Sequence, residues 1–294
     1  MTVSDANIHM FLDTLMNYYS VHARSDLPWR RPEPNGTFDC YKILVSELML
    51  QQTQVARVIP KYDAFLKQFP TIQSLAAAEL GDVLRAWQGL GYNRRAKYLW
   101  SAAKQVATDG WPDNLTRLPG VGVNTAGAVK AYAFNQPAIF VETNIRTVYI
   151  HHFASDQQNV PDSLILDLLA RTLSLLSVGK EQPEQKSHFL PGALRKTEGL
   201  SQYRVFYWAL MDYGTFLKTQ VRNLQQSKHY KQQSAFRGSK RQIRGLIIRE
   251  LSKEPLTLSA LQTYAEDDRL GAVLTELQKE GLIIKRGKLY HLSP

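Results

Sequence analysis

The residues best placed to do chemistry fall in a few short stretches. Glu47 lies within Tyr41–Val55, a helical pattern whose Ile43, Leu44, Val45, Leu48, Met49 and Leu50 cover most of the circumference. A carboxyl in such surroundings is uncommon unless it is paired or functional, and burial alone would raise its pKa. A second stretch is Leu118-Pro-Gly-Val-Gly-Val-Asn-Thr-Ala-Gly-Ala-Val129. Its Leu118-Pro119-Gly120 stops a short helix, Gly122 allows a tight turn, and Asn124 or Thr125 can cap a second helix running to about Phe134. Backbone N–H groups and a positive helix end would then point outward together, which suits a phosphate. An ordinary helix–turn–helix corner reads almost the same way. From Tyr213 to Arg249 there is no Asp or Glu, while Lys218, Arg222, Lys228, Lys231, Arg237, Lys240, Arg241 and Arg244 accumulate. That run is either a solvated linker or a strap along phosphates.

The elements that must hold these residues are mostly helical. Asn7–Ser20 reads as an amphipathic helix, with Ile8, Phe11, Leu12, Leu15 and Tyr19 near one face. Leu27-Pro-Trp-Arg-Arg31 is an irregular link into Tyr41–Val55. Helical patterns follow at Val58–Gln68, Ile72–Ala78, Leu80–Gly89, Arg94–Thr108 and Asn114–Leu118, and Gly89-Leu-Gly-Tyr-Asn93 breaks two of them sharply. Beyond the glycine hairpin, the apolar Ala138-Ile-Phe-Val141 runs into Glu142-Thr-Asn-Ile-Arg146. Helices are then expected over Ser163–Ser177 and Gln202–Phe216, with a surface loop over 179–199. The last part has its own layout. Helices at Arg241–Leu251, Leu258–Tyr264 and Arg269–Glu280 precede two short strands flanking Arg286-Gly287, a two-residue hairpin turn. Three helices followed by a basic hairpin describe a winged helix.

Composition narrows the classes. The 294 residues carry a formal charge of +10, which favours a polyanionic partner over an acidic metabolite. Cys40 is the single cysteine, so the chain can build neither a disulfide framework nor a cysteine-ligated metal centre. No apolar run approaches membrane-spanning length and the N-terminus has no signal-peptide layout. A cytoplasmic monomer that avoids membranes is the expectation.

Together these pieces resemble the helix-hairpin-helix DNA glycosylase superfamily, and within it the adenine DNA glycosylases that excise adenine opposite oxidised guanine. The likeness runs from about Leu27 to Phe216. It is densest at Val45-Ser-Glu-Leu-Met-Leu-Gln-Gln-Thr-Gln-Val55, with support from Leu27-Pro-Trp-Arg30, Trp87-Gln-Gly-Leu-Gly-Tyr92, Leu118-Pro-Gly-Val-Gly122 and Met211-Asp-Tyr-Gly214. It implies a mainly α, two-lobed glycosylase domain over 1–236, with one lobe from about 29–135 and the other from 1–28 and 136–236. A winged-helix domain over 237–294 would follow.

The resemblance also implies roles. Glu47 falls where the family keeps the acid that protonates the departing base, a task suited to a carboxyl that stays protonated near neutral pH. Gln52 and Tyr92 match residues that wedge into the duplex beside the extruded nucleotide. Trp29, Arg30 and Asn124 match positions that line the base pocket. Gly120, Gly122, Asn124 and Thr125 of the hairpin, with Lys218 and Arg222, are the implied phosphate contacts, and a monovalent cation could sit on the hairpin carbonyls.

Departures are as specific. The family's second catalytic carboxylate is an Asp in Asp-Gly-Asn, and the matching residues are Glu142-Thr143-Asn144, one methylene longer at the acid. Glu142 and Asn144 are therefore the expected catalytic partners of Glu47, with Glu142 stabilising the cationic sugar. Asn124 stands where the superfamily's lyases have a lysine; an amide forms no Schiff base, so a monofunctional enzyme is expected. Where many relatives hold an iron–sulfur cluster on four cysteines, Lys218, Gln225, Lys228 and Ser234 lie at approximately those spacings, so no cluster is expected. Adenine glycosylases usually end in a larger β-containing domain, and here the winged-helix pattern stands instead.

The expected partner is double-stranded DNA with a damaged or mismatched base, adenine being the default target. Removal of thymine or uracil opposite guanine is the nearest alternative. A non-catalytic reader of DNA structure is another.

Overall fold

The computed structural model describes residues 3–178, 202–231 and 235–294; the loop expected over 179–199 lies outside them. In chain order the helices are α1 Asp5–His22, α2 Cys40–Leu50, α3 Val55–Gln68, α4 Ile72–Ala77, α5 Leu80–Ala86, α6 Arg94–Asp109 and α7 Val123–Phe134. They continue with α8 Thr143–Phe153, α9 Asp162–Val178, α10 Gln202–Gln220, α11 Lys240–Leu251, α12 Leu258–Tyr264 and α13 Leu270–Lys279. Short strands β1 Leu256–Thr257, β2 Ile283–Arg286 and β3 Leu289–Leu292 complete the described elements. The chain is mainly helical, as its patterning implied.

Two compact units arise. One comprises Met1–Cys40 with Ala126–Gln232, the other Tyr41–Thr125 with Gln233–Pro294. In the first unit α1 begins at a capping box. Ser4 Oγ accepts from Asn7 N at 3.2 Å, and Asn7 Oδ1 accepts from Ser4 N at 3.0 Å, satisfying two otherwise unpaired donors. Its Ile8, Phe11, Leu12 and Leu15 are buried, and the Phe11 ring lies 5.4 Å from Tyr149 and 5.0 Å from His152. Helix α10 packs on α1 and on α8. The close approach to α8 depends on Gly214, because a Cβ there would stand 2.6 Å from Asn144 Cβ.

In the second unit α4 packs on α6 and α3 on α5, with Phe65, Leu75 and Trp87 buried among them. The winged-helix elements belong to this same unit. Their sheet has the order β1-β3-β2, all antiparallel. The pair Arg286↔Leu289 closes the hairpin, so Gly287-Lys288 form the loop and not the expected Arg286-Gly287. The one-residue shift has a backbone reason. Gly287 has φ +59°, and a two-residue loop with a left-handed first position wants glycine there. Strand β1 was not foreseen, since two residues carry no readable alternation.

The winged helix is seated on its lobe by specific bonds. Lys97 Nζ donates to Glu280 O, Arg85 Nε donates to Ser252 O at 3.2 Å, and Gln88 Nε2 donates to Ser252 Oγ at 3.2 Å. The compact units thus divide the chain differently from the expected 1–236 and 237–294.

Candidate active site

The helix expected over Tyr41–Val55 ends at Leu50, and the cause is Arg95. This side chain is 7 % exposed, yet its guanidinium is densely bonded. Nη1 donates to Leu48 O at 2.5 Å, Met49 O at 2.9 Å and Gln51 O at 2.6 Å, carbonyls that α2 leaves open at its C-terminal end. Nη2 donates to Thr53 Oγ1, Leu90 O and Gly91 O, each at 3.1 Å. One buried cation therefore clamps two turns at once. Burial lowers its pKa to about 10, which still leaves it charged at neutral pH. Sequence reading missed Arg95 because nothing local marks an arginine as buried; its only signal was its place one turn after the Gly89–Asn93 break.

Each clamped turn presents one of the expected wedge residues in a left-handed backbone. Gln52 has φ +54° and Tyr92 has φ +47°. Such a conformation costs non-glycine residues on the order of 1–3 kcal/mol and persists where the surroundings over-determine it. Arg95 supplies that determination. Gln52 is exposed, and Tyr92 is 37 % exposed with its hydroxyl accepting from Arg241 Nη1 at 2.7 Å. Both residues line one cleft of about 1090 Å³ within this unit.

On α2, Glu47 is half-buried between the buried Ser46 and Leu48. Of the apolar residues expected over most of the circumference, Ile43, Leu44, Val45, Leu48 and Met49 are buried, while Lys42, Glu47 and Leu50 keep part of their surface accessible.

The glycine hairpin starts from a single 3-10 turn, Leu115–Arg117, capped by Asn114, where a short helix through Leu118 was expected. Gly120 has φ +75°, and a Cβ on it would stand 2.4 Å from Tyr98 Cβ, so both backbone and packing demand glycine. Helix α7 begins at Val123, which places Asn124 and Thr125 inside its first turn and not at the cap. Thr125 Oγ1 accepts instead from Gln51 Nε2 at 3.2 Å, tying the hairpin to the end of α2. Gly122, Val123 and Asn124 are exposed.

In the other unit Glu142 is the N-cap of α8. Its Oε1 accepts from Asn144 N at 2.6 Å and Ile145 N at 3.2 Å, so the extra methylene is absorbed by folding the carboxyl back onto the helix start. The residue keeps part of its surface accessible, while its carboxyl is desolvated. Burial raises the carboxyl pKa; Lys218, the two backbone N–H groups and Arg146 pull the other way without cancelling it. Burial lowers the pKa of Lys218, one of the expected phosphate contacts, and the Glu142 carboxylate pulls it the other way. Asn144 donates from Nδ2 to Met211 Sδ at 3.5 Å, and its buried Oδ1 has no hydrogen-bond partner.

Trp29 and Arg30 form a short 3-10 turn and are both buried. Arg30 meets Asp212 in a two-pronged pair, Nη1 to Oδ2 at 2.7 Å and Nη2 to Oδ1 at 2.8 Å, and Arg24 Nε reaches the same carboxylate at 2.6 Å. The Arg30 guanidinium also lies 5.3 Å from the Trp208 ring centroid. It serves as an internal strut under α10. Arg222 is exposed just beyond α10.

The stretch where relatives hold an iron–sulfur cluster has no thiolates, and Cys40 is far from it in sequence, so the residues do not fit such a group. Burial pushes the Cys40 thiol up to about 12. Among the described residues no group of three or more His, Cys, Asp or Glu could hold a metal ion. Hydrogen bonds pin the stretch instead. Asn223 Nδ2 donates to Thr147 O at 2.8 Å, and Gln226 Nε2 donates to Ser155 O at 2.8 Å and Gln157 O at 3.0 Å. Val160 and Ser227 form a parallel bridge beside them. Ser234 lies outside the described residues.

A mainly helical fold with a glycine hairpin, a pair of left-handed turns at Gln52 and Tyr92 and a carboxylate at a helix cap defines a class. Residues 45–170 match the HhH-GPD superfamily of base excision DNA repair proteins. The chain is similar to the adenine DNA glycosylase of Mycolicibacterium smegmatis, 43 % identical over 168 residues, covering 54 % of this chain and 55 % of that protein. It is 35 % identical over 175 residues to the adenine DNA glycosylase of Buchnera aphidicola subsp. Baizongia pistaciae, covering 57 % of this chain and 47 % of that protein. The corresponding figures for the Mus musculus adenine DNA glycosylase are 39 % over 153 residues, 49 % and 30 %. The chain spans about half the length, or less, of these curated relatives. Its fold is shared with endonuclease III trapped as a covalent intermediate with DNA, at 18 % identity and TM-score 0.51, covering 73 % of this chain and 88 % of that one.

Proposed function

We propose that the chain is a DNA glycosylase of base excision repair that hydrolyses the N-glycosidic bond of a flipped adenine in a mispair, without strand cleavage. In this reading Glu47 donates a proton to a purine ring nitrogen, which turns the base into a neutral leaving group. The sugar left behind is cationic, and Glu142 stabilises it or bonds with it briefly before water completes the hydrolysis. Asn144, whose Oδ1 is the unpartnered buried acceptor beside it, is the candidate to orient that water or the sugar. Gln52 and Tyr92 fill the gap in the stack, and the exposed amides at Gly122–Asn124 take a phosphate.

One observation carries the reading. Glu142 is desolvated, accepts two backbone N–H bonds and is coupled to Lys218, which holds a longer acid in a fixed pose where the family has aspartate. A capping carboxylate and a catalytic one need not be different residues. The similarity to adenine DNA glycosylases supports adenine as the base. Double-stranded DNA is the partner, a cytoplasmic monomer the working form, and no cofactor is required for the steps above.

The test is a glycosylase assay over single-lesion and mismatched duplexes, with alkali afterwards to expose abasic sites. Adenine release is expected, with no cleavage before alkali and no borohydride-trapped adduct. Glu47→Gln should abolish release and keep DNA binding; undiminished release would remove Glu47 from the mechanism. Release of thymine or uracil alone would move the protein to the mismatch branch, and tight binding with no release from any duplex would make it a reader of DNA structure.

A further inference from the structure

The cleft that carries Gln52 and Tyr92 has a second wall. It is built by α11 of the winged helix, through Arg241, Gln242, Arg244, Gly245 and Arg249, by Phe236 just before it, and by Glu276 and Glu280, whose carboxylates are paired with Arg244. Arg57 and Arg94 add exposed guanidiniums from the opposite side. Two aromatic rings are accessible here, Tyr92 at 37 % and Phe236 at 62 %. Exposed rings interleaved with arginines along a groove are the features that hold a nucleic-acid strand, because rings stack on bases and guanidiniums meet phosphates.

Helix α13 offers much less. It occupies the place of the helix that most helix-turn-helix proteins lay in the major groove. Yet its sequence Leu-Gly-Ala-Val-Leu-Thr-Glu-Leu-Gln-Lys has Lys279 as its one cation, and its Glu276, with Glu280 just beyond it, is engaged by Lys240 and Arg244. Gly245 lines the cleft itself. A glycine inside a helix costs about 1 kcal/mol against alanine, and here no packing requires it, since an added Cβ would meet nothing within 4 Å. It leaves open space on the cleft wall.

We propose that the winged helix meets DNA through α11 and not through α13: the cleft between α11 and the Gly89–Arg95 segment receives one DNA strand, with an unstacked base against the Tyr92 and Phe236 rings. Arg241 is a contact residue in this arrangement as well as the donor to Tyr92. The inference rests on the DNA-binding half of the function above and is independent of base release.

The experiment measures binding of the full chain to a duplex carrying a tetrahydrofuran abasic-site analogue, over a salt series. Arg241→Ala should weaken binding about tenfold and lower the salt slope by about 0.9, the share of one phosphate contact on duplex DNA. Gly245→Gln should raise or preserve thermal stability and still weaken binding, a combination that misfolding cannot produce. Lys279→Ala should bind as the parent does. Tyr92→Phe separates contact from positioning: if it reproduces the Arg241→Ala defect with the parent's salt slope, Arg241 acts only on Tyr92 and the proposal fails. It also fails if Gly245→Gln binds normally, or if Lys279→Ala and Lys288→Ala carry the loss. Binding that depends on α11 in a protein that releases no base would sink the glycosylase reading alone. Base release with binding indifferent to α11 would sink this one alone.

Discussion

Arg95 does for the turns at Gln52 and Tyr92 what neither residue does for itself. Its six acceptors span residues 48–53 and 90–91, so the two left-handed turns stand or fall together. Arg95→Met should leave those acceptors unpaired and cost several kcal/mol, about 3–5, in urea unfolding. Arg95→Lys should recover only part, since an ammonium has three donors where the fork geometry serves two turns. Equal stability of all three proteins would show the clamp to be idle. At Glu142 the expectation concerns pH. Burial raises its carboxyl, and in the proposed mechanism the ionised form is the one that would face the cationic sugar. Activity should therefore rise with pH along a limb above the ordinary glutamate range. Lys218 opposes the rise, so Lys218→Met should push that limb further up. A limb that stays in place in a pH–rate series would uncouple the pair.

Among the elements, the segment after α10 shows how hydrogen bonds serve where thiolates are absent. Asn223 reaches into α8, and Gln226 holds the Ser155–Gln157 turn. Asn223→Ala removes the buried hydrogen bond to the Thr147 carbonyl and should cost about 1–3 kcal/mol, read by thermal or denaturant unfolding; loss of the half-buried Gln226, whose two bonds lie at the surface, should cost less. Helix α8 also carries His152, which burial and the neighbouring His151 push down to about 4; it packs on Phe11 and lies 3.2 Å from Tyr213 Oη. The unfolded chain protonates this imidazole near pH 6.5 and the folded one only near pH 4. Its neutral form thus supports the fold above about pH 6.5, and that support is lost as pH falls toward 4. His152→Phe should flatten stability over that window, and an unchanged pH dependence would assign the effect elsewhere.

For the whole molecule, the winged helix is part of a compact unit with residues 41–125 and not a tethered module. Removing 237–294 should lower the thermal midpoint of the remaining chain as well as its DNA affinity. The cut takes away the partners of Lys97, Arg85 and Gln88 and the apolar surface under Leu292. A midpoint equal to that of the full chain would mean that the docking bonds contribute nothing measurable.

Much of the molecule was legible without coordinates, and for a definite reason. Helix periods, the Pro-Gly stop and the wing glycine are local statements, written in spacing and side-chain type, while the roles expected of Glu47, Gln52, Tyr92, Glu142 and Asn144 come from the resemblance. The tertiary structure decided everything that depends on who comes near: that α2 stops at Leu50, that a half-buried Lys218 feels the Glu142 carboxylate, that Arg30 braces Asp212, and that α11 lines the cleft of Gln52 and Tyr92. A buried charge has no local signature. Its partners lie tens of residues away in the chain, and only the folded packing brings the donor and its acceptors into reach.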